Sequence, residues 1–228
     1  MEQRRDSATA YIILADGFET IEALTPLDVL RRCGVEVTTI SLNKTRAVRS
    51  SHGVTVEADA TMEDFMHNCN CSASGTGTST NTSIAGSSTS ASDTNTTAST
   101  STNVSGTMRQ ALILPGGYPG YKNLCESAEV GALITQFHKE GKLLCAICGA
   151  PTALKANQIC RGAAITCHTS VKEELSDYYS ILSSAVVKYM NIITGMGAGR
   201  SLEFAFAIAE ALTSKEKVEE IKAKMEII

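Results

Sequence analysis

Hydrophobic residues along this chain alternate between short unbroken runs and stretches with helical spacing. The run Ala10–Ala15 is apolar throughout, as a strand covered on both faces requires. A helix is predicted from Ile21 to Arg32, closed by Gly34, followed by a strand over Val35–Leu42. Ala111–Leu114 predicts a short buried strand ending in Pro115-Gly116-Gly117, and a helix from about Ala128 to Glu140 stops at Gly141 before the strand Leu143–Ile147. Ala150–Ala156 reads as a helix, and Ala163–Cys167 and Ile192–Thr194 read as strands. Two helices close the pattern, Ser201–Leu212, almost wholly apolar, and Glu216–Glu226, charged and solvated. Such alternation predicts an α/β fold, a mostly parallel sheet with helices on both faces.

One stretch breaks the rhythm. From Ser72 to Thr107, 22 of 36 residues are Ser or Thr. A tract with so little apolar surface cannot offset its chain entropy and is expected to be disordered. Its Asn-x-Ser/Thr triplets at Asn81, Asn95 and Asn103 are what such a composition yields by chance. A long insertion in a loop costs only the logarithm of its length, so residues 1–228 are read as one domain interrupted at about 72–107.

Charge and length narrow the classes. With 20 basic and 24 acidic side chains, net charge −4, the chain has no basic footprint for nucleic acid or an anionic membrane. No apolar run approaches the 18 residues of a membrane span. The apolar run near the N-terminus is too short for a secretory core, so an intracellular, cytoplasmic protein is expected. Eight cysteines in such a context read as thiols rather than a disulfide framework. Cys69-Asn70-Cys71 lacks the second pair of a zinc site. Cys145 falls inside a strand and reads as core; Cys33, Cys125, Cys160 and Cys167 read as free thiols. No dinucleotide fingerprint, P-loop or metal motif is present, so neither cofactor nor metal is expected.

In an open parallel sheet, ligands bind beyond the carboxyl ends of the strands. Asp16–Glu22, Pro115–Gly120, Cys148–Pro151 and His168 all follow strands on that rim. The sharpest is Leu144-Cys145-Ala146-Ile147-Cys148-Gly149-Ala150-Pro151: a buried strand, a nucleophile, a tight turn of small residues and a helix start, the layout of a nucleophile elbow with sulfur in place of oxygen. A thiol at a helix N-terminus is expected to favour the thiolate. Main-chain amides of Gly117 and Gly149 are candidate donors to an oxyanion. Glu19 and Glu22 are both candidates for a protonated carboxyl beside the sulfur, and spacing does not choose between them. His168 is a candidate proton shuttle or a solvent-facing loop residue.

These residues resemble the DJ-1/ThiJ/PfpI superfamily, its DJ-1-like branch. The resemblance rests on Leu14–Glu22, Leu114–Gly117, Ala146–Pro151 and Ser201–Ala207, in family order. It implies a flavodoxin-like three-layer sandwich, a homodimer, a cysteine on a strained elbow at Cys148, the protonated glutamate at Glu22, oxyanion donors at Gly117 and Gly149, and the family histidine at His168. Gly149 stands where the protease-like branch carries histidine, which argues against peptidase activity. Thr169, Met196 and Ala198 replace a proline, an arginine and a proline of the family pattern and alter the pocket rim.

The activity implied is cofactor-independent and cysteine-dependent, directed at small reactive aldehydes (glyoxalase III-like conversion of methylglyoxal to lactate) or at glycated protein side chains (deglycase). The alternative is an oxidative-stress sensor or redox-regulated chaperone using the same cysteine. A scaffold recruiting partners through the Ser/Thr tract is a third reading.

Overall fold

The computed structural model describes residues 8–68 and 109–227. The Ser/Thr tract, Cys69 and Cys71 lie outside the described residues.

In chain order the described strands are β1 (Thr9–Leu14), β2 (Glu36–Ser41), β3 (Ala47–Arg49), β4 (Thr55–Glu57), β5 (Ala60–Thr61), β6 (Gln110–Leu114), β7 (Leu143–Ile147), β8 (Ala164–Ile165), β9 (Ser180–Ile181), β10 (Val186–Tyr189) and β11 (Ile192–Gly195). The helices are α1 (Thr20–Arg32), α2 (Met62–Asn68), α3 (Gly120–Glu126), α4 (Ala128–Lys139), α5 (Pro151–Ala156), α6 (Lys172–Leu175), α7 (Ser201–Leu212) and α8 (Lys215–Lys224). Seven strands form the central sheet in the order β10-β11-β7-β6-β1-β2-β5. All neighbours are parallel except β10 against β11.

The unbroken apolar runs follow from burial on both sides. Along β1, Ala10, Ile12 and Leu14 face one core while Ile13 and the following Ala15 face the other. In β6, Ala111 and Ile113 divide from Leu112 and Leu114 in the same way; in β7, Cys145 and Ile147 divide from Leu144 and Ala146. The first core is closed by α1, α7 and α8 through Val29, Leu30, Phe204, Ile208 and Val218. The second is closed mainly by α4 through Val130, Leu133, Ile134 and Phe137. Each of these large side chains, removed from water, contributes roughly 1.5–3 kcal/mol. The result is the expected three-layer α/β sandwich.

One predicted strand is displaced. Ala163–Cys167 was expected in the main sheet, but only Ala164–Ile165 is extended, and it pairs with β9 in a separate two-stranded ribbon. Its place beside β7 is taken by β11. The small β3–β4 hairpin and the edge strand β10 carry no clear apolar pattern and were not predicted.

Chain order fixes where a site can form. From β1 the chain moves to β2 on one side, then returns to place β6 on β1's other side. The segments leaving β1 and β6 therefore diverge at their carboxyl ends and open a crevice. Glu22 follows β1, Gly116 follows β6, and Cys148 follows β7 beside them.

Candidate active site

Cys148 leaves β7 with φ 65°, a left-handed conformation that costs a residue bearing a Cβ about 1–3 kcal/mol. Its backbone is held from both sides. The N–H donates to the Gly195 carbonyl at 2.9 Å, and the carbonyl accepts the His168 N–H at 2.9 Å. The side chain stays partly exposed, as the elbow layout predicts.

Glu22 is completely buried, on the first turn of α1. Glu19 caps that helix, its side chain accepting the Glu22 N–H at 2.8 Å. The structure thereby separates two residues that spacing could not: Glu19 is the cap, and Glu22 points inward. Pro26, inside α1, has no N–H to give the Glu22 carbonyl, so the helix lacks a rung at the turn that carries this carboxyl. Oε2 of Glu22 accepts the Gly116 N–H at 2.8 Å. Oε1 is buried with no well-aligned partner among the described residues, and the Cys148 thiol is the neighbour that couples to the carboxyl.

Gly116 makes this contact possible. A Cβ there would stand 2.7 Å from the Cys148 Cβ and 2.7 Å from Glu22 Oε2, inside van der Waals contact with both. The sequence pointed to Gly117 and missed its neighbour; the doubled glycine was the available signal. Gly117 itself adopts φ +88°. Its amide and that of Gly149 both lie close enough to the Cys148 sulfur to pull its pKa down. Thr152, also missed, donates its hydroxyl to the Gly149 carbonyl at 2.7 Å and fixes the turn that carries one of them.

The thiol's ionisation differs from the expectation. The helix after it, α5, has only six residues and a correspondingly weak dipole. Burial raises Glu22 from 4.5 to about 7. Burial first, then the charge of an ionised Glu22, pushes the Cys148 thiol up to about 12, against the pull of the Gly117 and Gly149 amides. The two groups therefore titrate as a pair that holds one proton from about pH 7 upward and both protons below it. When that proton sits on Glu22, the opposing charge is gone, and a carboxylic O–H faces a sulfur whose charge the Gly117 and Gly149 amides favour. The nucleophile forms by transfer within the pair rather than by a low intrinsic pKa.

His168 reaches the site by a route other than the predicted one. It follows the β8 ribbon rather than a strand of the main sheet, yet its backbone is bonded to Cys148. Its exposed ring accepts the Ser170 N–H at Nδ1, 3.2 Å away, and has the Ser170 hydroxyl at 2.8 Å. Nε2 is left as the edge that could carry a proton, with the neighbouring Cδ2 3.5 Å from where a Cβ on Gly197 would stand.

The remaining described cysteines are all free. Cys145 is fully buried, and Cys33 and Cys167 nearly so; burial raises each thiol. Among the described residues no group of three or more His, Cys, Asp or Glu could hold a metal ion, and no helix is long and apolar enough to cross a membrane. An open cleft of about 830 Å³ runs between α3, α4 and Asn157, and Cys148 is not among its lining residues.

Comparison with known proteins agrees with this geometry. The DJ-1/PfpI family model matches residues 8–211. Protein dj-1beta of Drosophila melanogaster is 34% identical over 216 residues, 94% of this chain and 95% of that protein. Glutathione-independent glyoxalase DJR-1.2 of Caenorhabditis elegans is 39% identical over 107 residues, 46% of this chain and 56% of that protein. The crystal structure of Drosophila melanogaster DJ-1beta matches with a TM-score of 0.77 and 31% identity, over 97% of this chain and 99% of that one. The flavodoxin-like sandwich, the order of the strands' terminal motifs and a match spanning nearly all the described residues lead to one conclusion: this chain belongs to the DJ-1/PfpI family.

Proposed function

We propose that this chain is a cofactor-independent enzyme in which Cys148 attacks small reactive carbonyls, converting methylglyoxal to lactate. The observation that carries the reading is the contact of a strained, amide-bonded cysteine with a buried carboxyl of raised pKa. The half-length similarity to a glutathione-independent glyoxalase supports it.

The Cys148 thiolate adds to the aldehyde carbon, forming a C–S bond, and the carbonyl oxygen takes the Glu22 proton to give a hemithioacetal. The Gly117 and Gly149 amides that hold the thiolate before attack lie beside the oxygen that forms next to it. The Glu22 carboxylate then removes the carbon-bound proton, giving an enediolate, and returns it to the adjacent carbon as the hydroxyl proton passes from the first oxygen to the second. A thioester of 2-hydroxypropanoate results. Water hydrolyses it, releasing lactate and restoring the thiol. Methylglyoxal plus water equals lactic acid, so no redox cofactor is required. His168, through Nε2, is placed in this proposal as the carrier of protons between Glu22 and solvent. Attack on an early glycation adduct of a protein side chain opens with the same step.

The test is turnover of methylglyoxal without glutathione, on protein freed of contaminating glyoxalases. Cys148→Ala is expected to lose at least about a hundredfold in kcat/KM; equal rates for the two proteins would discard the enzymatic reading. Specific gain of two oxygens at Cys148 under mild peroxide, without carbonyl turnover, would favour the sensor function, in which a protonated Glu22 bonds a sulfinate oxygen. The same proposal includes a homodimer. Ile21 on α1 and Leu202 on α7, 52% and 41% exposed, share an apolar hollow on the helix pair that carries Glu22.

A further inference from the structure

A second cysteine meets a base on the opposite rim of the sheet. α5 starts beside Cys148 and carries the chain about 9 Å away over its six residues, and the loop beyond it holds Cys160. The Cys160 Sγ lies 3.7 Å from Nε2 of His138, which sits in the last turn of α4. No other described residue bonds the His138 ring; Nδ1 is buried without a partner. The histidine is thus not engaged in holding the fold elsewhere.

The loop has the strain that accompanies function. Gln158 and Cys160 both adopt positive φ, 56° and 46°, although neither is glycine. Cys160 is partly exposed, and a cationic residue follows each member of the pair in sequence. Arg161 is exposed and stacks its guanidinium 5.5 Å over the Tyr178 ring, and Lys139, next to His138, is exposed.

We propose that Cys160 and His138 form a second thiol site, independent of Cys148, that undergoes exchange with small anionic disulfides. The thiol gives its proton to Nε2 of His138. The resulting thiolate attacks one sulfur of the disulfide, forming a new S–S bond to Cys160 as the original S–S bond breaks. The departing thiolate takes the proton from the imidazolium and leaves as a thiol. Atoms and electrons balance with the disulfide as the only co-reactant. Burial keeps the Cys160 proton on sulfur at rest, so the base is needed, and a thiolate of higher intrinsic pKa is the stronger nucleophile once formed. Arg161 and Lys139 favour partners that carry carboxylates.

Cys125 is the internal control. It is also a partly exposed free thiol, but its partner, at 3.6 Å, is the Thr152 hydroxyl, which is no base. The full-length Cys148→Ala protein, incubated with glutathione disulfide and followed by peptide mass mapping, is expected to modify Cys160 at least about tenfold faster than Cys125. His138→Gln is expected to bring Cys160 down to the rate of Cys125 while leaving Cys125 and the thermal midpoint unchanged. Equal rates at the two cysteines with His138 intact would overturn the proposal whether or not the glutamine variant folds. So would a folded His138→Gln protein that reacts at Cys160 as before. Because Cys148 is absent from the assay, neither result bears on carbonyl turnover.

Discussion

Glu22 ties the chemistry of this protein to its stability. In the unfolded chain the carboxyl has an ordinary pKa of 4.5; folded, it is raised to about 7. Below pH 4.5 it is protonated in both states and its burial carries no charge penalty. As pH rises from 4.5 through 7 the unfolded state loses its proton first, so stability falls across that window, by up to about 3 kcal/mol. Glu22→Gln keeps an acceptor for the Gly116 amide and removes the titration. Its denaturation free energy is expected to be flat over that window and to exceed that of the natural protein at pH 8 by about 1–3 kcal/mol, with methylglyoxal turnover lost. Denaturant titrations at pH 5 and 8 check this, and a variant less stable than the natural protein at pH 8 would contradict the burial argument. Cys148 could be singled out from its residue type and its place after a strand, whereas the residues alone left Glu19 and Glu22 open and only the family resemblance pointed to Glu22. The Gly116 amide could not, because a main-chain donor leaves no mark in the side-chain sequence. The ionisation of the sulfur was misjudged because a helix start in sequence reveals neither that the helix is only six residues long nor how deeply the thiol is buried.

At the level of elements, what could be read in advance is what is buried on both faces. β1, β6 and β7 present nearly unbroken apolar runs because both cores need them. β10 sits on the sheet edge with Lys188 and Tyr189 exposed, and β3 and β4 have three residues each, with outward polar side chains; neither leaves a periodic trace. Ala163–Cys167 misled because its apolar residues are buried in the second core from a short ribbon with β9 rather than from the main sheet. Helix boundaries were more legible where a cap marks them. Ser127 caps α4, its hydroxyl accepting the Val130 N–H at 3.2 Å. Ser127→Ala is expected to lower stability by about 1 kcal/mol without changing turnover, since α4 packs on the core face away from Cys148; denaturation and kinetics on the same preparation check both halves.

For the molecule as a whole, the predicted homodimer can be tested on one helix pair. Leu202 lies exposed on α7 next to α1. In a two-fold interface the same patch meets itself, so a charge introduced there would be buried against its own copy. Leu202→Arg is therefore expected to sediment as a monomer where the natural protein sediments as a dimer; a natural protein that is monomeric at micromolar concentration would remove this reading and leave the Cys148 chemistry standing. The same scale gives meaning to the two hydrogen bonds that grip the Cys148 backbone, from Gly195 and from His168. Both come from segments made after it. A ribosome that has released residues up to Pro151 has delivered the sulfur but not the brace that holds it at φ 65°. Until the carboxyl-terminal quarter docks, the residue can relax into an ordinary turn with its thiol like any other. The chain is thus born disarmed, and it acquires its reactive sulfur only as the last strand is laid down.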